Sequence, residues 1–312
     1  MKPPADILRV PENYLGLAVI GGSGAYDLSP AEFGRRLPGD DPLVVDTPFG
    51  ESSPVHFFQP GRSSFSLAFM SRHGESGYLV SAPEVNYRAN IWALKAVGTT
   101  SIVSWSGPGA IDAEFKPGSF VLPDDLIDLT RGRENTFFQG TGLGFIRQNP
   151  LFCPRLRKLL CLSLDRLGLD YCEGGVYAAT QGPRLETAAE VRMIERLGGR
   201  LVGMTLAPEV FLARELELCY HPCCYVANWA EGVRDLPARP GELFDGMLGD
   251  GERVRVDNAV QQFPAIILEL AARLEAEQAA VSACPCTRTM ERYRSSGRIG
   301  PDWRTWINPP GR

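Results

Sequence analysis

Leu17-Ala18-Val19-Ile20-Gly21-Gly22-Ser23-Gly24 decides the fold class of this chain. A short, fully apolar run reads as a buried strand, and it stops in small flexible residues and one hydroxyl. Such a strand end gathers several backbone N–H groups and the Ser23 hydroxyl at one point, which suits an anion, phosphate above all. A plain tight turn is the competing reading, and this segment alone does not separate the two. It is no dinucleotide fingerprint, because Asp27 stands where the third glycine would let a helix pack closely.

Further apolar, β-branched runs follow at 65–70, 100–105, 119–122, 175–180, 201–204 and 223–227. Between them lie helix-period stretches at 83–97, 154–167, 186–197 and 208–218, and Pro83, Pro154 and Pro208 stand where a helix can begin without losing a needed N–H. This alternation predicts an α/β fold, one domain with a central mixed twisted β-sheet flanked by helices, and ligands at the strand ends. Residues 235–251 read as a lid or as a mere connection before a helix over 254–275. We divide the chain into an N-terminal extension (1–16), the main domain (17–286) and an arginine-rich tail (287–312) expected to be flexible or to hug a subunit.

With 312 residues, 44% of them hydrophobic, the chain can bury a large core, and its net charge of -5 argues against a nucleic-acid platform. No run of about 18 apolar residues exists to span a membrane. Met1-Lys2-Pro3-Pro4-Ala5-Asp6 lacks the apolar core of a signal peptide, so a cytoplasmic protein is expected. The eight cysteines show no paired CxxC spacing for zinc, and no metal is expected. Cys284-Pro285-Cys286 is read either as thiols that are redox-active or pair with other thiols, or as an inert part of the tail.

Five other strand ends carry chemistry. Ser71-Arg72-His73-Gly74 offers a guanidinium fork and an imidazole, which suit an anion but also occur together by accident on a surface. Ser104-Trp105-Ser106-Gly107-Pro108-Gly109 and Gly203-Met204-Thr205 supply hydroxyls beside glycine. In Gln181-Gly182-Pro183-Arg184-Leu185-Glu186-Thr187, Glu186 reads either as an acid in the first turn of a helix or as a ligand to a heterocycle. Asn228-Trp229-Ala230-Glu231 ends a strand with an amide that donates and accepts.

Taken in order, these residues resemble the trimeric purine nucleoside phosphorylases and S-methyl-5'-thioadenosine phosphorylases. The resemblance rests on Ile20-Gly21-Gly22-Ser23-Gly24, Thr47-Pro48-Phe49-Gly50, Arg72-His73-Gly74, the stretch PEVNYRANIWAL at 83–94, Lys116-Pro117-Gly118, QGPRLETAAE at 181–190, Met204-Thr205, Pro208-Glu209 and Leu212-Ala213-Arg214-Glu215. It implies attack of inorganic phosphate, the co-substrate, on C1' of a purine nucleoside, with no metal or organic cofactor, in a homotrimer. By this resemblance Ser23, Arg72, His73, Ser106 and Thr205 hold phosphate, Met204 packs on the ribose, and Gly107, Leu185, Trp229 and Ala230 line the nucleoside. Glu186 and Asn228 carry base recognition and catalysis. Members acting on 6-aminopurines resemble one another in a Ser or Thr where Glu186 stands, so Glu186 with Asn228 points to 6-oxopurines of the inosine, guanosine or 5'-methylthioinosine type. Phe145 stands where many relatives have a His near the 5' end of a neighbouring subunit's sugar, and the Ser106-Gly107-Pro108-Gly109-Ala110 loop departs from the family pattern. A methylthioadenosine phosphorylase, a non-catalytic nucleoside-binding paralogue and, from Gly22 and Gly24 alone, a dinucleotide-dependent oxidoreductase are the rival readings.

Overall fold

The structure is a computed structural model and describes residues 9–22, 30–36, 42–61, 63–75, 77–236, 241–249, 251–277 and 283–307. Among these, the opening apolar run becomes β1 (Tyr14–Gly21), in the middle of an eight-stranded sheet. The strand order is β11 (Tyr171–Glu173), β9 (Phe120–Leu122), β14 (Cys219–Tyr225), β7 (Ser101–Ser106), β1, β6 (Ser66–Ser71), β5 (Val55–Gln59) and β2 (Arg35–Arg36). A five-stranded sheet runs β10 (Asp125–Asp128), β12 (Val176–Ala179), β13 (Gly199–Gly203), β8 (Gly109–Ala110) and β15 (Asn228–Trp229). A small ribbon pairs β3 (Asp46–Thr47) with β4 (Gly50–Glu51).

The centre of the large sheet is parallel and covered on both sides, which is why β1 has no polar face. Leu17 and Val19 enter one core, and Ala18 and Ile20 enter the other, following the two-residue period of a strand. The first core also holds α2 (Pro154–Leu167) and α6 (Phe263–Ala276), with Trp105 stacked on Phe263 at 4.0 Å between ring centroids. The second core takes α1 (Tyr87–Ala96) and α4 (Leu206–Glu215). The expected mixed α/β architecture is therefore present.

Neighbouring strands β7 and β14 both break after their last residue, Ser106 and Tyr225, and resume in the smaller sheet as β8 and β15. Across the break the Ala227 N–H donates to the Pro108 carbonyl at 2.9 Å. The seam between the sheets is thus lined by residues that the sequence placed at strand ends.

Several local expectations need correction. Glu186 is not in a first helical turn: α3 (Ala188–Arg196) is capped by Thr187, and Glu190 closes the capping box with it. That leaves Glu186 in the preceding loop. The helix expected over 254–275 is two, α5 (Glu252–Gln261) and α6, separated at Gln262 just ahead of Pro264. Pro83 sits in a 3-10 turn, Ala82–Glu84, and α1 starts only after its cap, Asn86. The segment after Cys286 packs firmly as far as it is described: α7 (Glu291–Ser295) buries Tyr293, Met290 is fully buried, Trp306 and Ile307 join the second core, and Arg294 forks onto Glu217 at 2.7 and 2.8 Å.

Two buried acids tie α4 to its surroundings. Glu209 accepts from the Arg72 Nε at 2.7 Å, from Tyr220 Oη at 2.8 Å and from Ser104 Oγ at 3.2 Å, so one ion pair joins α4 to β14, β7 and the end of β6. Removing Glu209 strands a buried guanidinium. Glu209→Ala is expected to destabilise the protein by about 3–5 kcal/mol in urea unfolding.

Glu215, the last residue of α4, accepts from Thr136 Oγ1 at 2.6 Å and from the Phe137 N–H at 2.7 Å. Burial raises its carboxyl to about 7, against the lowering effect of those two bonds. The folded chain therefore keeps a proton that the unfolded chain releases near 4.5, and this group's contribution to stability falls as pH rises between 4.5 and 7. Denaturation at pH 5 and pH 8 should show that loss, about 2 kcal/mol, largely removed in Glu215→Gln.

Candidate active site

A cleft of about 400 Å³ opens along the seam between the two sheets. Of the sequence-predicted residues, Arg72, His73, Ser106, Gly107, Leu185, Glu186, Met204, Thr205, Asn228 and Ala230 all line it. They come from β7, β15 and the loops beyond β6, β7, β12, β13 and β15. Ser23 lies outside the described residues. A second depression of about 500 Å³ lies along the 180–186 segment and shares Glu186, but has neither Arg72, His73 nor Asn228 on its walls.

On the cleft wall Arg72 is buried with most of its donors committed: Nε to Glu209, Nη2 to Ser104 Oγ at 2.7 Å and the Ile20 carbonyl at 3.3 Å, and Nη1 to the Trp105 carbonyl at 3.2 Å. Burial works against its charge, but the Glu209 carboxylate overrides it and holds the guanidinium above its ordinary range. Nη1 has a second N–H, and it lies against the strand-end turn: a Cβ on Gly22 would stand 2.5 Å from it. Gly22 is thus required for close approach rather than for an unusual backbone angle. His73 holds its Nδ1 against the Val80 carbonyl at 2.9 Å and stacks on Tyr78 with centroids 5.0 Å apart. Burial and then the neighbouring Arg72 charge pull the imidazole down to about 4. It is neutral at pH 7, Nδ1–H donates to the carbonyl, and Nε2 is left for a ligand. Thr205 precedes α4 without using its hydroxyl as a cap, and the Ser106 hydroxyl lies 3.4 Å from Tyr177 Oη.

Glu186, also on the cleft wall, accepts a short hydrogen bond from Thr180 Oγ1. Asn228 is buried on β15 and donates through Nδ2 to the Trp229 carbonyl at 2.6 Å and to the Met247 sulfur at 3.6 Å. A thioether is a weak acceptor, so a ligand nitrogen can displace it. The cleft therefore brings together a cation, a neutral imidazole and hydroxyls with a carboxylate and an amide.

Two predicted residues lie elsewhere. Trp229 turns its indole away from the cleft, donating Nε1–H to Glu252 at 2.9 Å beneath the Arg234 guanidinium, because consecutive residues of β15 face opposite ways. Phe145 is 78% exposed and is not among the residues that line this chain's cleft, with its N–H on Tyr293 Oη. Sequence reasoning missed Tyr78, Tyr177, Leu243, Phe244 and Met247 as lining residues; the last three come from the 235–251 segment that read as lid or connection. It also missed Arg133. Its guanidinium donates to the carbonyls of Met204, Ala207, Thr180 and Gln181 at 2.5, 2.8, 3.2 and 2.6 Å, joining the two loops that flank the cleft. Nothing in the sequence around Arg133 marks it.

The chain is similar to known proteins. The chain is 42% identical over 245 residues to the 6-oxopurine nucleoside phosphorylase of Pyrococcus furiosus, covering 76% of this chain and 88% of that one. It is 36% identical over 276 residues to the probable S-methyl-5'-thioinosine phosphorylase of Methanothermobacter thermautotrophicus, covering 88% of each. The crystal structure of a methylthioadenosine phosphorylase from an antarctic soil metagenomic library superposes with a TM-score of 0.74 at 27% identity, over 89% of this chain and 91% of that one. These matches bear out the resemblance carried by the motifs. Residues 17–260 match the model of the phosphorylase superfamily, and the chain belongs to that superfamily.

Proposed function

We propose that this protein is a purine nucleoside phosphorylase acting on 6-oxopurine nucleosides. The observation that carries the reading is that Glu186 and Asn228 line the same cleft as Arg72, His73, Ser106 and Thr205. Phosphate sits at the cation and attacks C1'; the bond from C1' to N9 breaks, and its electron pair passes to the purine. Asn228 Nδ2 donates to N7 as negative charge collects there, exchanging its sulfur contact for a stronger one. Glu186 accepts from N1–H, which hypoxanthine and guanine carry and adenine lacks. Facing adenine, the carboxylate meets a lone pair, and a buried polar mismatch of this sort rejects a substrate by up to about 10⁴-fold.

No metal or organic cofactor is needed for this chemistry, because the anion and the amide already supply the charge stabilisation that an oxocarbenium-like transition state demands. Leu243, Phe244 and Met247 add apolar surface to the cleft wall. We further propose that the enzyme works as a homotrimer in the cytoplasm, with the exposed Phe145 reaching a neighbouring subunit's site. Its apolar ring suits a 5'-thioether better than a 5'-hydroxyl. Among the described residues no helix is long and apolar enough to cross a membrane.

Inosine, guanosine, 5'-methylthioinosine and 5'-methylthioadenosine assayed side by side test the reading. Hypoxanthine and guanine are expected to be released only when phosphate is present, and preferential adenine release would instead assign the protein to methylthioadenosine. Glu186→Ala should lower kcat/KM for inosine by about 10²–10⁴-fold, and Asn228→Ala should lower kcat by about 10²–10³-fold. Carbon-detected NMR gives an independent check at the anion site. The His73 ring should titrate at about 4 in the free protein, and upward of that with phosphate bound, since a neighbouring anion favours the imidazolium. An unmoved titration would remove His73 from the phosphate site.

A further inference from the structure

We propose that Cys153, Cys219, Cys284 and Cys286 form a four-thiolate site for a borderline-soft cation, zinc above all. The four sulfurs lie within 4.8 Å of one another, and all four residues are buried. Around a tetrahedral zinc with bonds of about 2.3 Å, adjacent sulfurs stand about 3.8 Å apart; Cys153 and Cys284 are 3.6 Å apart. The ligands come from three separate places in the fold: the cap of α2, the first residue of β14, and both ends of Cys284-Pro285-Cys286 at a 3-10 turn. The absence of CxxC spacing therefore says nothing against the site. Cys223 and Cys224 show the ordinary alternative, single buried thiols packed as small apolar side chains in β14.

The charges nearby need the site. Arg214 is buried, and its guanidinium donates to two carbonyls, those of Leu151 at 3.0 Å and Arg147 at 2.7 Å, while its Nε finds no acceptor. Among the described residues no carboxylate pairs with it, and the groups in electrostatic range are Cys153 and Cys286. Close by, Arg155 donates Nη2 to Ser101, the register partner of Cys219, and leaves Nε and Nη1 without acceptors. A buried cation without a counter-charge is costly. Four thiolates around a divalent ion carry a net charge of about -2, a counter-charge for the buried Arg214 and the half-buried Arg155. None of the four cysteines lines the cleft, so the role is structural: the ion ties the 284–307 segment to α2 and β14 where Thr289 Oγ1 and the Met290 N–H already bond Arg214 and Glu217.

The full chain, purified in reducing buffer without chelator, is expected to carry about one zinc per chain by mass spectrometry. Cys284→Ser/Cys286→Ser should lose zinc more than about tenfold, while Cys161→Ser/Cys172→Ser keeps it. Should the first variant fail to fold, the unaltered chain still decides the matter: stripped, reduced protein titrated with Co²⁺ should develop the ligand-field bands of a tetrahedral thiolate complex. Disulfides among these four cysteines in the purified protein, eight free thiols that take up neither zinc nor cobalt, or zinc retained in Cys284→Ser/Cys286→Ser would each overturn the proposal.

Discussion

The ion pair between Arg72 and Glu209 is the constraint around which the rest of the molecule is arranged. Two full charges buried together must find every hydrogen-bond partner inside the protein. Arg72 does so by reaching the ends of β1 and β7, and Glu209 by collecting Tyr220 and Ser104. The pair consequently sets the relative positions of four strands and a helix at the place where the cleft begins. It also explains why a guanidinium at this site can face an anion without swinging: only one N–H of Nη1 is left over, and Gly22 lets it approach the turn. A mobile surface arginine would have to lose rotamer freedom on binding, whereas this one has lost it already on folding.

The two-sheet seam supplies the second half of the site. Because β7 and β14 each cross from one sheet to the other, a pair of adjacent strands delivers Ser106 and Gly107 from one crossing and Asn228 from the next. Small residues are needed there. A Cβ on Gly107 would meet the Tyr225 hydroxyl at 2.7 Å, and one on Gly109 would press on Asn228 Nδ2 at 3.3 Å.

Much of this was legible in the amino-acid sequence. The apolar runs at 17–20, 65–70 and 100–105 are recognisable as buried strands because parallel strands covered on both faces have no polar period to obscure them. Helices beginning at Pro154 and continuing regularly from Pro208 were readable for the same kind of reason, a local rule that tertiary context does not override. The two-residue strands β8 and β15 were not, since only their pairing across the seam defines them. Local reasoning also misled at Glu186, where Thr187 and Glu190 form the cap and free the acid for the cleft, and at Trp229, whose facing is decided by which sheet its strand joins. Arg133 and the cysteine cluster escaped because their partners are carbonyls and sulfurs remote in sequence, and no spacing rule links such positions. The tail read as loose because arginines dominate it, yet Met290, Tyr293, Trp306 and Ile307 are enough to seat it.

Arg133 has a consequence for how such an enzyme can change. By grasping carbonyls at 180 and 181 with one nitrogen and at 204 and 207 with the other, it makes the loop that carries Glu186 and the loop that carries Met204 and Thr205 a single mechanical part. A substitution that reshapes one loop to admit a different purine must drag the other with it. Substrate range and catalytic speed are therefore not independent traits of this scaffold, and a lineage that broadens the first will register the change in the second.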